Sequence, residues 1–147
     1  MPQFVVIDAP SVLGLRPTGV EHLPKALKAA GLLDGLNAEY AGRVEPLLYK
    51  PQRDPKTLIL NPDALRAFSL QLAEAVDGVL RQEKFPLVLG GDCSNIIGIM
   101  LALRRAGRYG LFFIDEVASS HHLWVYTERD CLLFRYPLYD GQEDSDR

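Results

Sequence analysis

Three places in the chain carry side chains able to do chemistry, and each follows a short apolar run. In GLFFIDEVASSHH, residues 110–122, the run ends on Asp115. Hard divalent cations such as Mn²⁺ or Mg²⁺ want carboxylate oxygens, and Mn²⁺ accepts imidazole as well. On an extended segment, residues 117 and 119 share a side with Asp115, so further ligands belong there. Those positions hold Val117, which has no donor atom, and Ser119. His121 and His122 come next. Adjacent residues of a strand face opposite ways, so at most one of them joins Asp115. The plain alternative is an Asp capping a loop and a pair of surface histidines.

The second place is Gly90-Gly91-Asp92-Cys93-Ser94, at the exit of the run PLVLG. Open α/β sheets hold ligands at the carboxyl ends of their strands. Two glycines allow a sharp turn and close approach, and Asp92 or Ser94 can cap the next helix. Cys93 then points into the crevice or packs beneath it. The functional readings are a metal ligand, an anion held at the helix N-terminus and a thiolate activated there. The plain reading is a tight turn, a cap and a small buried cysteine. Neither GxGxxG nor GK[ST] is present, so this is not a dinucleotide fingerprint or a P-loop. A Cys93-His121-Asp115 triad has no motif behind it. Asp8, which ends the run QFVVID, stands at the same kind of strand end, or serves as a loop carboxylate.

The elements that must position these residues emerge from pattern. Residues 3–8 read as a strand buried on both faces. A helix starts near His22 or Leu23, because Pro24 is tolerated only in a first turn, and Gly31 stops it. Thr18 and Glu21 have capping-box spacing. Residues 43–49, RVEPLLY, read as a second strand, at an edge because of Pro46. From Pro62 to Arg81, Leu65, Phe68, Leu72, Val76 and Val79 fall on one helical face, with Asn61 as cap and Pro62 in the first position. PLVLG is the third strand. Ser94 to Ala106 is a helix ending in Arg104 and Arg105, with Gly107 beyond. RYGLFFID is a fourth strand beside PLVLG. This β-α order predicts an α/β, three-layer α/β/α fold with a parallel sheet.

After Asp115 the composition changes. Residues 116–147 hold a single alanine and the only tryptophan, Trp124, with Tyr126, Phe134, Tyr136 and Tyr139. LWVYT and CLLFRY flank the turn-like ERD, so a β-hairpin is expected there. We therefore expect residues 1–115 to form one domain part and 116–147 a divergent tail, from a truncated, frameshifted or rearranged gene.

With 147 residues the chain can bury a real core. A net charge of -3 without a basic stripe gives no case for nucleic acid or an anionic membrane. No apolar stretch approaches a membrane span. The N-terminus lacks a cationic region before its apolar run, and the two cysteines make no CxxC. The expected compartment is a reducing cytoplasm.

SVLGLRPTGVEHLPKALKAAGL, then LVLGGDCSNIIGIMLALRRAGRYGLFFID, resembles the arginase/agmatinase family of ureohydrolases over residues 3 to 115. The resemblance implies a three-layer α/β/α sheet and hydrolysis of a guanidino or amidine C–N bond. It also implies a pair of Mn²⁺ ions that activate the attacking water. It places Cys93 at the histidine ligand of the family's GGDHS, and Asp115 at the first Asp of its DAHxD. Gly90, Gly91, Asp92 and Ser94 are the rest of the first motif. Val117 stands at the His position and Ser119 at the last Asp. Tyr139-Asp140-Gly141 and Glu143 to Asp146 do not replace the family's later DxD. We therefore expect no bimetallic site and no activity in this chain. The alternatives are a non-catalytic fragment or pseudoenzyme that binds itself or family subunits, and an anion-binding α/β module. Part of a parallel sheet leaves an open edge, so association is expected unless the tail covers it.

Overall fold

The run FVVIDA forms β1 (Phe4–Ala9), and every residue from Val5 on is buried. The computed structural model describes residues 3–107, 110–117, 120–126 and 134–137, with side-chain environments as far as Ile114. The chain divides into two compact units, Met1–Ala106 and Gly107–Arg147. This packing boundary and the compositional change after Asp115 are separate features.

In the first unit β1 is the central strand. β2 (Glu39–Arg43) pairs on one side and β3 (Phe85–Gly90) on the other, both parallel to it. Parallel neighbours need crossovers, and helices supply them. Val5, Ile7 and Ala9 pack in one cluster with Leu65, Phe68, Leu72, Val76 and Val79 of α3 (Pro62–Leu80) and Ala102 of α4 (Asn95–Ala106). Alternation sends Asp8 to the other face, where it bonds Lys28 of α1 (Leu23–Ala29). Helices on both faces make the expected three-layer α/β/α arrangement with a parallel sheet.

The α3 stripe is the one the spacing predicts. Each of its five apolar side chains is buried, a contribution of roughly 1.5–3 kcal/mol apiece. α4 crosses α3 closely at Gly98, where a Cβ would come within 2.7 Å of the Ser69 carbonyl oxygen. α1 begins where Pro24 allows, and Gly31, at φ 88°, lies just past its end. A short α2 (Leu32–Leu36) comes next, which the sequence did not signal.

Four expectations need correction. The second strand lies at 39–43, not 43–49. Its ladder stops at Asp8↔Arg43 because β1 has nearly run out, and Leu47 and Leu48 beyond it are exposed. Asn61 does not cap α3. Its amide oxygen accepts the Lys50 N–H at 2.7 Å, and its NH₂ donates to the Leu13 carbonyl at 3.0 Å. Glu21 takes the N–H of Gly19 at 3.0 Å, so no capping box forms with Thr18.

The fourth correction concerns the strand that carries Asp115. β4 (Leu111–Val117) pairs antiparallel with β5 (Ser120–Tyr126), and β5 pairs antiparallel with β6 (Phe134–Pro137). β4 is thus not the fourth parallel strand. The apolar run after it offers an antiparallel partner across a two-residue link, whereas a parallel partner needs a long crossover. The β5–β6 pair is the hairpin expected of the tail. No helix among the described residues is long and apolar enough to cross a membrane.

Candidate functional site

The GGDCS turn is built against the loop that leaves β1. The Gly91 N–H donates to the Ala9 carbonyl at 3.1 Å, and the Asp92 N–H to the Ser11 carbonyl at 2.8 Å. A Cβ on Gly91 would lie 2.0 Å from the Ser11 carbonyl oxygen, so only glycine fits. The Asp92 carboxylate, 7% exposed, is fully engaged. One oxygen accepts the Gly14 N–H at 2.8 Å, and the other accepts the Ser94 N–H at 2.9 Å and the Ser94 hydroxyl. Asp92 therefore clamps two loops at the carboxyl edge of the sheet.

The same turn consumes the helix N-terminus. The N–H groups of Asn95, Ile96 and Ile97 donate to the carbonyls of Asp92, Cys93 and Ser94 at 3.1–3.3 Å. With those donors spent and a carboxylate beside them, the anion reading loses its physical basis. Cys93 is exposed, so it does not pack beneath the crevice.

Asp8, the penultimate residue of β1, is buried in an ion pair beneath the strand's end. It is 3% exposed, and Lys28 Nζ lies 2.5 Å from its Oδ2, with the Tyr40 hydroxyl donating to the same oxygen at 3.0 Å. The Lys28 ammonium also sits 4.1 Å from the centroid of the Tyr40 ring. Burial pushes Lys28 down, but hydrogen bonds and charge from Asp8 and Tyr40 outweigh it and hold the ammonium above its ordinary value. The second Asp8 oxygen is buried without a hydrogen-bond partner.

Asp115 lies in β4, where the ladder sets it opposite His122, and Glu116 opposite His121. The side chains from Asp115 onward, and so the Cys93-His121-Asp115 triad, lie outside the described residues. So do Ser119, Tyr139 and the acidic run Glu143 to Asp146. Among the described residues, no three His, Cys, Asp or Glu side chains converge as a metal site.

Two framework residues were missed from sequence. Asn95 donates its NH₂ to the Ala9 carbonyl at 2.8 Å, in space left by Gly90, and its own amide oxygen is buried unpartnered. Ser11, wholly buried, offers its hydroxyl oxygen to the Leu13 N–H at 3.2 Å. The available signal was a lone Asn opening an otherwise apolar helix, and a Ser just past a buried strand.

The sequence model of the arginase family matches residues 2–116. The arginase of Bacillus caldovelox is 31% identical over 126 residues, which is 78% of this chain and 41% of that protein. Arginase-1 of Homo sapiens is 35% identical over 97 residues, 63% of this chain and 30% of its own length. Among solved structures, the native Bacillus caldovelox arginase at pH 5.6 superposes with a TM-score of 0.64 at 31% identity. It covers 71% of this chain and 37% of that one. Arginase from Bacillus subtilis gives 0.58 at 30% identity, covering 70% and 34%. The chain thus spans well under half the length of these relatives. The fold of the first unit, the motif order and the family match agree: the chain belongs to the arginase family.

Proposed function

We propose that this chain is a non-catalytic member of the arginase family, carrying the family's first β-α units without its two-Mn²⁺ centre. The reading rests on one observation above others. The sequence from β4 onward runs Asp115-x-Val117-x-Ser119, where the resemblance calls for three metal donors. Valine offers no donor atom. Cys93 is a soft thiol where an imidazole belongs, and both Asp92 oxygens are occupied by N–H and O–H donors. A pair of hard Mn²⁺ ions needs several anionic oxygens and imidazoles to offset dehydration. The donors present do not fit that pair, so no hydrolytic step is derived through it.

The alternative is a ureohydrolase active on a guanidino or amidine compound, and urea release distinguishes the two. Purified chain supplied with Mn²⁺ and arginine or agmatine is expected to release no urea above the buffer background. Sustained turnover, abolished by a chelator, would overturn the proposal. A reducing cytoplasm suits a chain with an exposed thiol and no CxxC.

A further inference from the structure

The loop between β2 and α3 carries a rigid apolar tip. The Asp54 carboxylate accepts the N–H groups of Lys56 at 3.0 Å and Thr57 at 2.7 Å, and the Thr57 hydroxyl at 2.9 Å. The Leu58 N–H donates to the Asp54 carbonyl at 2.8 Å, and the Asp54 N–H to the Ile59 carbonyl at 2.9 Å. Arg53 closes the turn, its Nη1 donating to the Leu58 carbonyl at 2.8 Å. These bonds hold Leu58 at φ 60°, a left-handed conformation that costs a leucine energy. What they present outward is aliphatic: Leu58 is 67% exposed and Ile59 49%. Beside the tip lies a cavity of about 230 Å³. Leu48, Pro62 and Ala64 give it apolar wall, and the tip's own anchors, Arg53 and Asp54, line it too. Small-molecule sites take roughly 300–1,000 Å³. This cavity is below that range, a size for an aliphatic side chain.

We propose that this surface joins two copies of the chain about a two-fold axis, the Leu58–Ile59 tip of each seated in the cavity of the other. A knob and a hole side by side on one patch are what an isologous contact requires, because each copy receives what it offers. The charges are self-complementary. Lys50 and Arg53 at the cavity are balanced by Asp54 and Asp63, so two such surfaces meet without net repulsion. A nucleic acid or an anionic membrane asks instead for a surface of one sign. Seating the tip takes Leu48, Leu58 and Ile59 of both copies out of water, and each is exposed in the single chain. The strained turn also gains a use. Its hydrogen bonds fix the tip before contact, so little ordering is lost on association.

The test is the mass of the full chain by analytical ultracentrifugation from about 1 µM to 1 mM, the range over which a small interface dissociates. The expected result is a reversible shift from one copy to two. Leu58→Gly removes the knob and Leu48→Glu puts a charge in the hole, both at exposed positions. Each is expected to raise the midpoint concentration at least about tenfold. The melt of the first unit should hold in both, since glycine is at ease at φ 60°. Mixing the two variants restores one intact knob and hole, so the mixture should dimerise at a lower concentration than either variant alone. A single-copy mass throughout would overturn the proposal. So would a dimer that neither variant weakens, a mixture no tighter than its components, or an open-ended polymer, because an isologous contact closes at two copies.

Discussion

Lys28 of α1 and Asp8 of β1 form a salt bridge, Nζ to Oδ2 at 2.5 Å, across the helix–sheet boundary. The acid is almost wholly buried, while 24% of the lysine side chain stays exposed. A buried charge that loses its partner is costly. Lys28→Met is expected to lower stability by about 2–4 kcal/mol, below the full cost of a buried pair because part of Lys28 is solvated. Adding Asp8→Asn to that variant removes the stranded charge and keeps an acceptor for Tyr40. It should recover part of the loss in urea-denaturation midpoints. A Lys28→Met variant as stable as the parent would show the pair to be inert.

The same pair sets an alkaline limit. Lys28 has a folded-state pKa above its ordinary 10.5, because the Asp8 and Tyr40 contributions outweigh burial. A group whose folded pKa is raised contributes its stabilisation in full below the unfolded value and loses it as pH rises through the folded one. The stability gap between the parent chain and Lys28→Met should therefore be constant at neutral pH and narrow above about 10.5. Melts of both proteins across that range give the answer, and a gap that widens with pH would contradict the assignment.

Two glycines of the first unit should respond in opposite directions. Gly91→Ala drives a methyl into the Ser11 carbonyl oxygen and should cost about 3 kcal/mol or more. Gly78, inside α3, has open space where a Cβ would go. Gly78→Ala should gain about 0.5–1 kcal/mol through backbone entropy. Thermal melting of the two variants reads both signs at once.

Asp92→Ala removes the acceptor shared by the Gly14 N–H, the Ser94 N–H and the Ser94 hydroxyl. Hydrogen bonds to a charged group are worth about 1.5–3 kcal/mol each and are not additive. We expect a loss of about 2–4 kcal/mol, with faster hydrogen exchange at Gly14 and Ser94. Unchanged exchange at Gly14 would show that the two loops are held together by other means.

Most of the first unit was legible in the sequence because its elements are marked by periodicity. Leu65 to Val79 keep one helical stripe, and QFVVID and PLVLG are short runs bounded by turn signals. Local signs failed where a long-range bond won. Asn61 looks like a helix cap, but its amide is taken by Lys50 and Leu13, far from α3's own backbone needs. RVEPLLY looks like a strand, but a strand needs a neighbour, and β1 ends before it. β4 read as parallel because FFID resembles a buried strand, yet its pairing is set by the apolar run of β5 just beyond it. At the candidate site, the residue types at 93, 115, 117 and 119 were open to reading from the start. That Asp92 is spent on backbone N–H groups, and Asp8 on Lys28, depends on contacts 78 and 20 residues apart in sequence.

The central claim is that this arginase-family chain does not hold the two-Mn²⁺ centre. Its most direct test is the Mn²⁺ content of purified chain, incubated with excess Mn²⁺, desalted and measured by inductively coupled plasma mass spectrometry. The account predicts essentially no metal above a denatured control, whereas about two Mn²⁺ per chain, the stoichiometry of a two-metal site, would contradict it.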